Sequence, residues 1–148
     1  MSAGLSRRPL LLAAGLASIG VPQAKTSGAT GWVSDPAFRT PVFEPTHTEQ
    51  PQRVEVIEAA MRSTPLSARL TQLKATTDVD AALRLIHNES HIESIRKQHG
   101  ARIDTVARTA VGATLAAIDA VAARRVRNAF VCSRPPGHHA RNSGREEG

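Results

Sequence analysis

Apolar positions fall into short continuous runs alternating with stretches of helical spacing, the mark of an α/β chain. Thr30 to Ser34 (TGWVS) predicts a first strand, stopped by Asp35-Pro36. The following FRTPVFEPTHTEQPQR adds three further prolines, which predicts an extended loop. From there Val54, Ile57 and Met61 mark the inner face of a short helix broken at Pro65. LTQLKAT predicts a second strand. Thr77 or Asp78 is placed to cap a helix through Ile86 that buries Ala82, Leu85 and Ile86, and Asn88 to cap another carrying Ile92 and Ile95 on one face. The strongest periodicity runs from Ile103 to Ala123. There Ile103, Val106, Ala107, Ala110, Val111, Thr114, Leu115, Ile118, Val121 and Ala122 predict a core-facing stripe. Arg124, Arg125 and Arg127 follow, where cations suit the negative helix end. Asn128 to Cys132 then predicts a parallel strand, interior and covered on both faces, with a Pro-Gly loop at its C-terminal end. In open parallel sheets, ligand sites form at that end.

The first 29 residues read differently. Arg7-Arg8 precedes an uncharged apolar run from Leu10 to Val21, too short to span a bilayer, and Ser27-Gly28-Ala29 offers small residues for a cut. SRRPLL fits the pattern of twin-arginine export signals, so residues 1–29 are expected to be a leader to the bacterial periplasm. The alternatives are an uncleaved N-terminal helix and a cytoplasmic protein. This stretch also accounts for much of the formal charge of +6. It holds three of the 19 basic residues and no acid, leaving 16 bases against 13 acids. That balance gives no phosphate-binding footprint, so a nucleic-acid partner is not expected, nor a membrane once the leader is gone. Apolar content of 41% supports a core, and with 3% aromatics it must be built from Ala, Val, Leu and Ile. The single cysteine, Cys132 between Val131 and Ser133, excludes an internal disulfide and reads as a small buried hydrophobe.

The candidate chemistry lies in RPPGHHA, residues 134 to 140. Pro135 and Pro136 stiffen the exit of the last strand, and Gly137 permits a turn. His138 and His139 follow, side chains that titrate near neutral pH and can take and return protons in one reaction. A pair of identical groups becomes an acid and a base when the environment separates their pKa values. Spacing alone leaves open a turn whose histidines only hydrogen-bond the backbone. His87 and His91, at i and i+4, could chelate zinc, but HNESH is not the HExxH pattern and has no third ligand, so helix surface is the reading there.

RPPGHHA resembles the signature of the histone deacetylase superfamily, in the form found in class II enzymes, acetylpolyamine amidohydrolases and acetoin-utilisation-like proteins. PTHTEQPQRVEVI is similar to that family's His-Pro-Glu-x-Pro-x-Arg-Leu segment, and HNESHIESI to its His-x-x-x-Tyr-Ile helix. The resemblance covers residues 30 to 148, with departures at Thr48, Gln50 and His91. It implies an incomplete three-layer parallel sheet of the arginase/deacetylase type. It also implies that His138 and His139 are the tandem active-site histidines beside a zinc-bound water. His138 would orient or deprotonate that water, and His139 would protonate the departing amine. Arg53 would match an arginine beneath the pocket, with a structural or product-exit role; a surface charge at a helix start is its other reading.

The resemblance also implies three metal ligands, acidic partners for the histidines and a tyrosine that polarises the acyl oxygen. No metal ligand is assignable, the chain has no tyrosine, and eight residues follow Ala140. The expectation is therefore an N-terminal portion of a zinc-dependent deacylase of acetyl-lysine or acetylpolyamine substrates, holding no zinc itself and inactive alone. Its last strand would be left with an unpaired edge and its stability would be marginal. The alternative is a non-catalytic exported α/β piece that binds a partner through that edge.

Overall fold

The computed structural model describes residues 28–41 and 43–137. Residues 1–27 of the expected leader, and the histidine pair His138 and His139, lie outside the described residues. Among the described residues three parallel strands form one sheet: β1 (Thr30–Val33), β2 (Leu70–Leu73) and β3 (Asn128–Val131), in the order β2-β1-β3. Trp32 pairs with Gln72 on one side and Phe130 on the other. Between β1 and β2 the chain makes a short 3-10 turn (Pro36–Arg39), the proline-rich loop, helix α1 (Gln52–Arg62) and a second 3-10 turn (Pro65–Arg69). Between β2 and β3 come α2 (Asp80–Ile86) and α3 (Glu89–Ala122).

This order explains the layering. The first crossover moves from β1 to one side, and the second returns past β1 to the other. Right-handed crossovers in opposite directions put their helices on opposite faces of the sheet. On the Trp32 face, α1 contributes Glu58, Met61 and Arg62 around a cleft that Trp32 also lines. The opposite face lies under α3, which packs against all three strands. The result is a small three-layer α/β unit, as expected.

The buried stripe of α3 is not the one its large apolar residues predict. Val106, Gly112, Ala113, Ala117 and Ala120 are buried, with Ala110 packed against the same core, while Thr114, Ile118, Val121 and Ala122 are exposed. A helix lying flat on a sheet approaches closest where its side chains are small, so the alanines go inward and the bulkier residues turn out. Gly100, at φ 82, breaks α3 between the Asn88-capped turn and the long periodic stretch, so the two expected helices are both present across a kink. Asn88 caps as expected, its side chain accepting from the His91 amide at 2.9 Å. The helix ends in a left-handed residue, Arg124 at φ 56, and the Arg125 amide reaches back to the Ala120 carbonyl. The three arginines thus lie beyond the last turn rather than inside it.

Three further expectations, for α2, α1 and β3, do not hold. Neither Thr77 nor Asp78 caps α2, which begins after Val79 with no side-chain cap. Val79 takes the core position, leaving Leu85 83% and Ile86 66% exposed. A seven-residue helix presents fewer than two turns, and its entry residue meets the core first. In α1, Val54 is buried, but Ile57 is exposed and Glu58 occupies the inward position instead. β3 is not covered on both faces: it stands at the edge of the sheet, Phe130 is 49% exposed and stacked on Trp32 at 5.3 Å.

Candidate active-site corner

β3 ends at Val131, Cys132 donates its amide to the Val33 carbonyl at 2.8 Å, and the chain then turns into Ser133-Arg134-Pro135-Pro136-Gly137. This is the C-terminal end of a parallel strand next to the central strand, where the sequence places the site. The Arg134–Pro135 bond is cis. Gly137 does not use a left-handed conformation, since Gly100 is the described glycine with positive φ. The stiffness of the corner therefore rests on the two prolines and on Arg134.

Arg134 is the residue that sequence reasoning quoted but did not weigh. Its side chain is 2% exposed, the largest fully buried one among the described residues. One terminal nitrogen, Nη1, donates to the carbonyls of Phe38 and Thr40 at 3.2 and 2.7 Å, and Nη2 to that of Glu49 at 2.8 Å. Nε has no partner. Burial, then the neighbouring Arg53 charge, pulls its pKa below the ordinary guanidinium value. The signal was available: a loop with four prolines cannot satisfy its carbonyls by regular pairing, and a guanidinium carries five donors in a rigid fork.

Arg53 sits in the first turn of α1, 61% exposed and ion-paired with Glu49. Glu49 thus joins the two arginines, its carboxylate to Arg53 and its carbonyl to Arg134. Arg53, Glu49, Ile57, Phe130, Ser133 and Pro136 line an open cleft of about 190 Å³ at the corner. So Arg53 is brought beside the RPPG segment while remaining a solvent-facing charge.

A second polar centre was also missed. Glu58 is buried from α1 and accepts the Ser34 hydroxyl at the end of β1, Arg39 through Nε and Nη2 at 3.1 and 2.6 Å, and more distantly Arg62 at 3.7 Å. Burial raises the pKa of this carboxyl, but the bonds from Ser34 and Arg39 and the charges of Arg39 and Arg62 outweigh it, so the pKa lies below the ordinary value. A depressed folded-state pKa stabilises the protein above the unfolded value and the contribution is lost as pH falls through the folded one. Acid titration of unfolding by urea is therefore expected to show wild type losing stability below about pH 4, and Glu58→Gln losing less over the same range. Equal acid sensitivity in both would contradict the assignment. Cys132 is buried as expected, and burial followed by the Glu58 charge raises its thiol pKa.

His87 and His91 do not share a helix. His87 caps the end of α2 and Asn88 caps the start of α3, which carries His91, although the two rings lie 4.8 Å apart. Burial, then His87, lowers the pKa of His91. Among the described residues no three His, Cys, Asp or Glu side chains gather to hold a metal ion. The zinc that the resemblance implies therefore finds no donor set among them.

Comparison with known proteins agrees with this geometry. The histone deacetylase domain model matches residues 47–148. The polyamine deacetylase HDAC10 of Danio rerio is 28% identical over 114 residues, covering 64% of this chain and 17% of the relative. A histone deacetylase-like amidohydrolase of Pseudomonas aeruginosa is 30% identical over 131 residues, covering 80% and 33%. The chain thus spans a third or less of the length of these two relatives. Among solved structures, the HDA15 HD domain superposes with a TM-score of 0.71 over 82% of this chain and 39% of that one, at 20% identity, which speaks to the fold alone. With the domain match spanning residues 47–148 and a parallel α/β sheet of the same fold, the chain belongs to the histone deacetylase domain family.

Proposed function

We propose that this chain supplies the N-terminal, proton-handling part of a deacylase acting on acetylated amines. The observation that carries the reading is the match of residues 47–148 to the deacetylase domain, which takes in the whole RPPGHHA motif. In this reading His138 accepts a proton from the attacking water and His139 returns one to the departing amine. Arg53 lines the cleft at the RPPG turn and takes a structural or product-exit role in this reading. The names of two relatives, a polyamine deacetylase and a deacetylase-like amidohydrolase, support acetylpolyamine or acetyl-lysine as substrate class. Zinc would supply Lewis-acid activation of the acyl group when bound. Its donors are not found among the described residues.

The 148-residue chain assayed alone with zinc, against acetyl-lysine and acetylspermidine substrates, is expected to show no turnover. Grafted in place of the matching third of the Pseudomonas aeruginosa amidohydrolase, it is expected to give an active chimera that His138→Ala or His139→Ala abolishes. A folded chimera without activity, or one indifferent to both substitutions, would sink the reading.

Residues 1–29 are proposed as a twin-arginine leader. A reporter fused after Ala29 is expected in the periplasm with Arg7-Arg8 intact and in the cytoplasm once both are Lys. Equal export of the two fusions would end that reading.

A second reading, partner binding without catalysis, draws on the open edge of β3 and the half-exposed Phe130 beside it. Turnover by the chimera would decide against it.

A further inference from the structure

We infer that His87 and His91 form a two-imidazole site for a transition-metal ion, Cu²⁺, Ni²⁺ or Zn²⁺, at the joint between α2 and α3. The inference does not rest on the deacylase reading. The ring centres lie 4.8 Å apart, with the ring planes tilted by 56°. Two imidazoles that share one ion at about 2.0–2.1 Å have ring centres about 4.5–5.2 Å apart, for angles of about 90–109° at the metal. The two rings therefore already stand at a ligating separation.

The backbone holds them there. His87 ends α2, its amide donating to the Leu83 carbonyl at 2.8 Å. One residue on, Asn88 caps α3, and its side chain accepts the His91 amide at 2.9 Å. A short joint capped from both sides fixes the backbone of both histidines, so little freedom is lost when an ion is taken up. One donor is also unused: Nδ1 of His91 is buried and has no hydrogen-bond partner. A buried polar atom left that way is costly, and a bound ion removes the cost. The His-x-x-x-Tyr-Ile segment that HNESHIESI resembles has tyrosine at this position, so the second imidazole is this chain's own. An imidazole ligates through one nitrogen and keeps the other for a hydrogen bond, so His87 can retain contacts of its own. Both rings keep part of their surface in solvent, which gives an aquated ion access.

The donor type selects the ion. Imidazole suits Cu²⁺, Ni²⁺ and Zn²⁺, whereas Mg²⁺ and Ca²⁺ take oxygen ligands. Among the described residues no third His, Cys, Asp or Glu joins the pair, so water completes the coordination and the ion is exchangeable. Once bound, it staples the end of the short α2 to the start of α3.

The test titrates the full chain with Cu²⁺, Ni²⁺, Zn²⁺ and Mg²⁺ in turn, by calorimetry in a non-chelating buffer. Cu²⁺ is expected to bind more tightly than Ni²⁺ or Zn²⁺, and Mg²⁺ not at all. With Zn²⁺ the NMR ring signals of His87 and His91 should both shift, and the amides of residues 80–91 should exchange more slowly. His87→Gln and His91→Tyr should each weaken Zn²⁺ binding at the joint by about tenfold or more and abolish that slowing. His91→Tyr installs the residue of the resembling segment, so its far-UV spectrum should stay that of wild type. If it nevertheless unfolds, His87→Gln, which alters a partly exposed ring, decides alone. Replacing His138 and His139 together with Gln removes the tandem pair as a competing ligand and should leave the ring shifts and the slowed exchange in place. Zn²⁺ that moves neither ring, slowing that survives both substitutions, or slowing lost only with the tandem pair would each overturn the inference.

Discussion

Replacing Phe38 with alanine is expected to destabilise the protein by about 3–5 kcal/mol, the range for truncating a fully buried aromatic. Phe38 has no exposed surface and packs in the core with Val33, Val54 and Val106. It enters the core from a 3-10 turn that Asp35 caps by accepting the Ala37 amide at 2.9 Å, so the backbone delivers the ring to one place. Among the described residues Trp32 is the other buried aromatic, and the remaining large side chains with almost no exposure are valines and Arg134. Single domains are stable by only about 5–15 kcal/mol, so a loss of this size removes a large share of the margin and the urea midpoint should fall sharply. Phe43 is the internal control. It lies five residues on, is 42% exposed and stacks on His47 at 4.3 Å. Phe43→Ala should change stability by less than about 0.5 kcal/mol. Urea denaturation of the two variants side by side checks the claim. Similar losses from both would mean that the loop, not the Phe38 ring, is what the core depends on.

The two phenylalanines show where sequence reading stops. Strand positions, the loop and the existence of each helix were legible, because Pro placement and apolar run length are local signals. Which face of α3 turned inward was not, because periodicity weighs Ile118 and Val121 by hydrophobicity while packing against a sheet weighs Ala113 and Ala117 by size. The inward Glu58 was illegible for a related reason. A carboxylate in a helix reads as solvated until Ser34, Arg39 and Arg62 are known to meet it, and those come from three places in the chain. The turn after β3 was legible through its prolines, whereas the clamp behind it was not, since Arg134's acceptors are main-chain carbonyls that carry no side-chain signature.

Glycine at 112 gives the other large effect, with a sign opposite to helix propensity. In an open helix, Gly→Ala stabilises by about 1 kcal/mol. At Gly112 the added methyl would fall inside the van der Waals envelope of the Thr76 carbonyl oxygen, 3.1 Å from the Thr76 carbonyl carbon and 3.3 Å from its nitrogen. The obstacle is backbone and cannot rotate aside. The same contact carries a hydrogen bond, from the Thr76 amide to the Gly112 carbonyl at 3.2 Å. Relief therefore requires the segment after β2 to lift from α3, weakening that bond and unseating Val79 three residues on, which is 2% exposed. Overpacking of about 1–3 kcal/mol, loss of a hydrogen bond at about 1 kcal/mol and partial exposure of a valine exceed the propensity gain. The net expectation is destabilisation of about 2–4 kcal/mol, read as a fall in urea midpoint at unchanged slope. Hydrogen exchange should localise the damage, with amides of residues 74–79 losing protection before those of β1. A Gly112→Ala variant more stable than wild type would show that this segment does not pack on α3 as described, and the path from β2 into the second crossover would have to be redrawn.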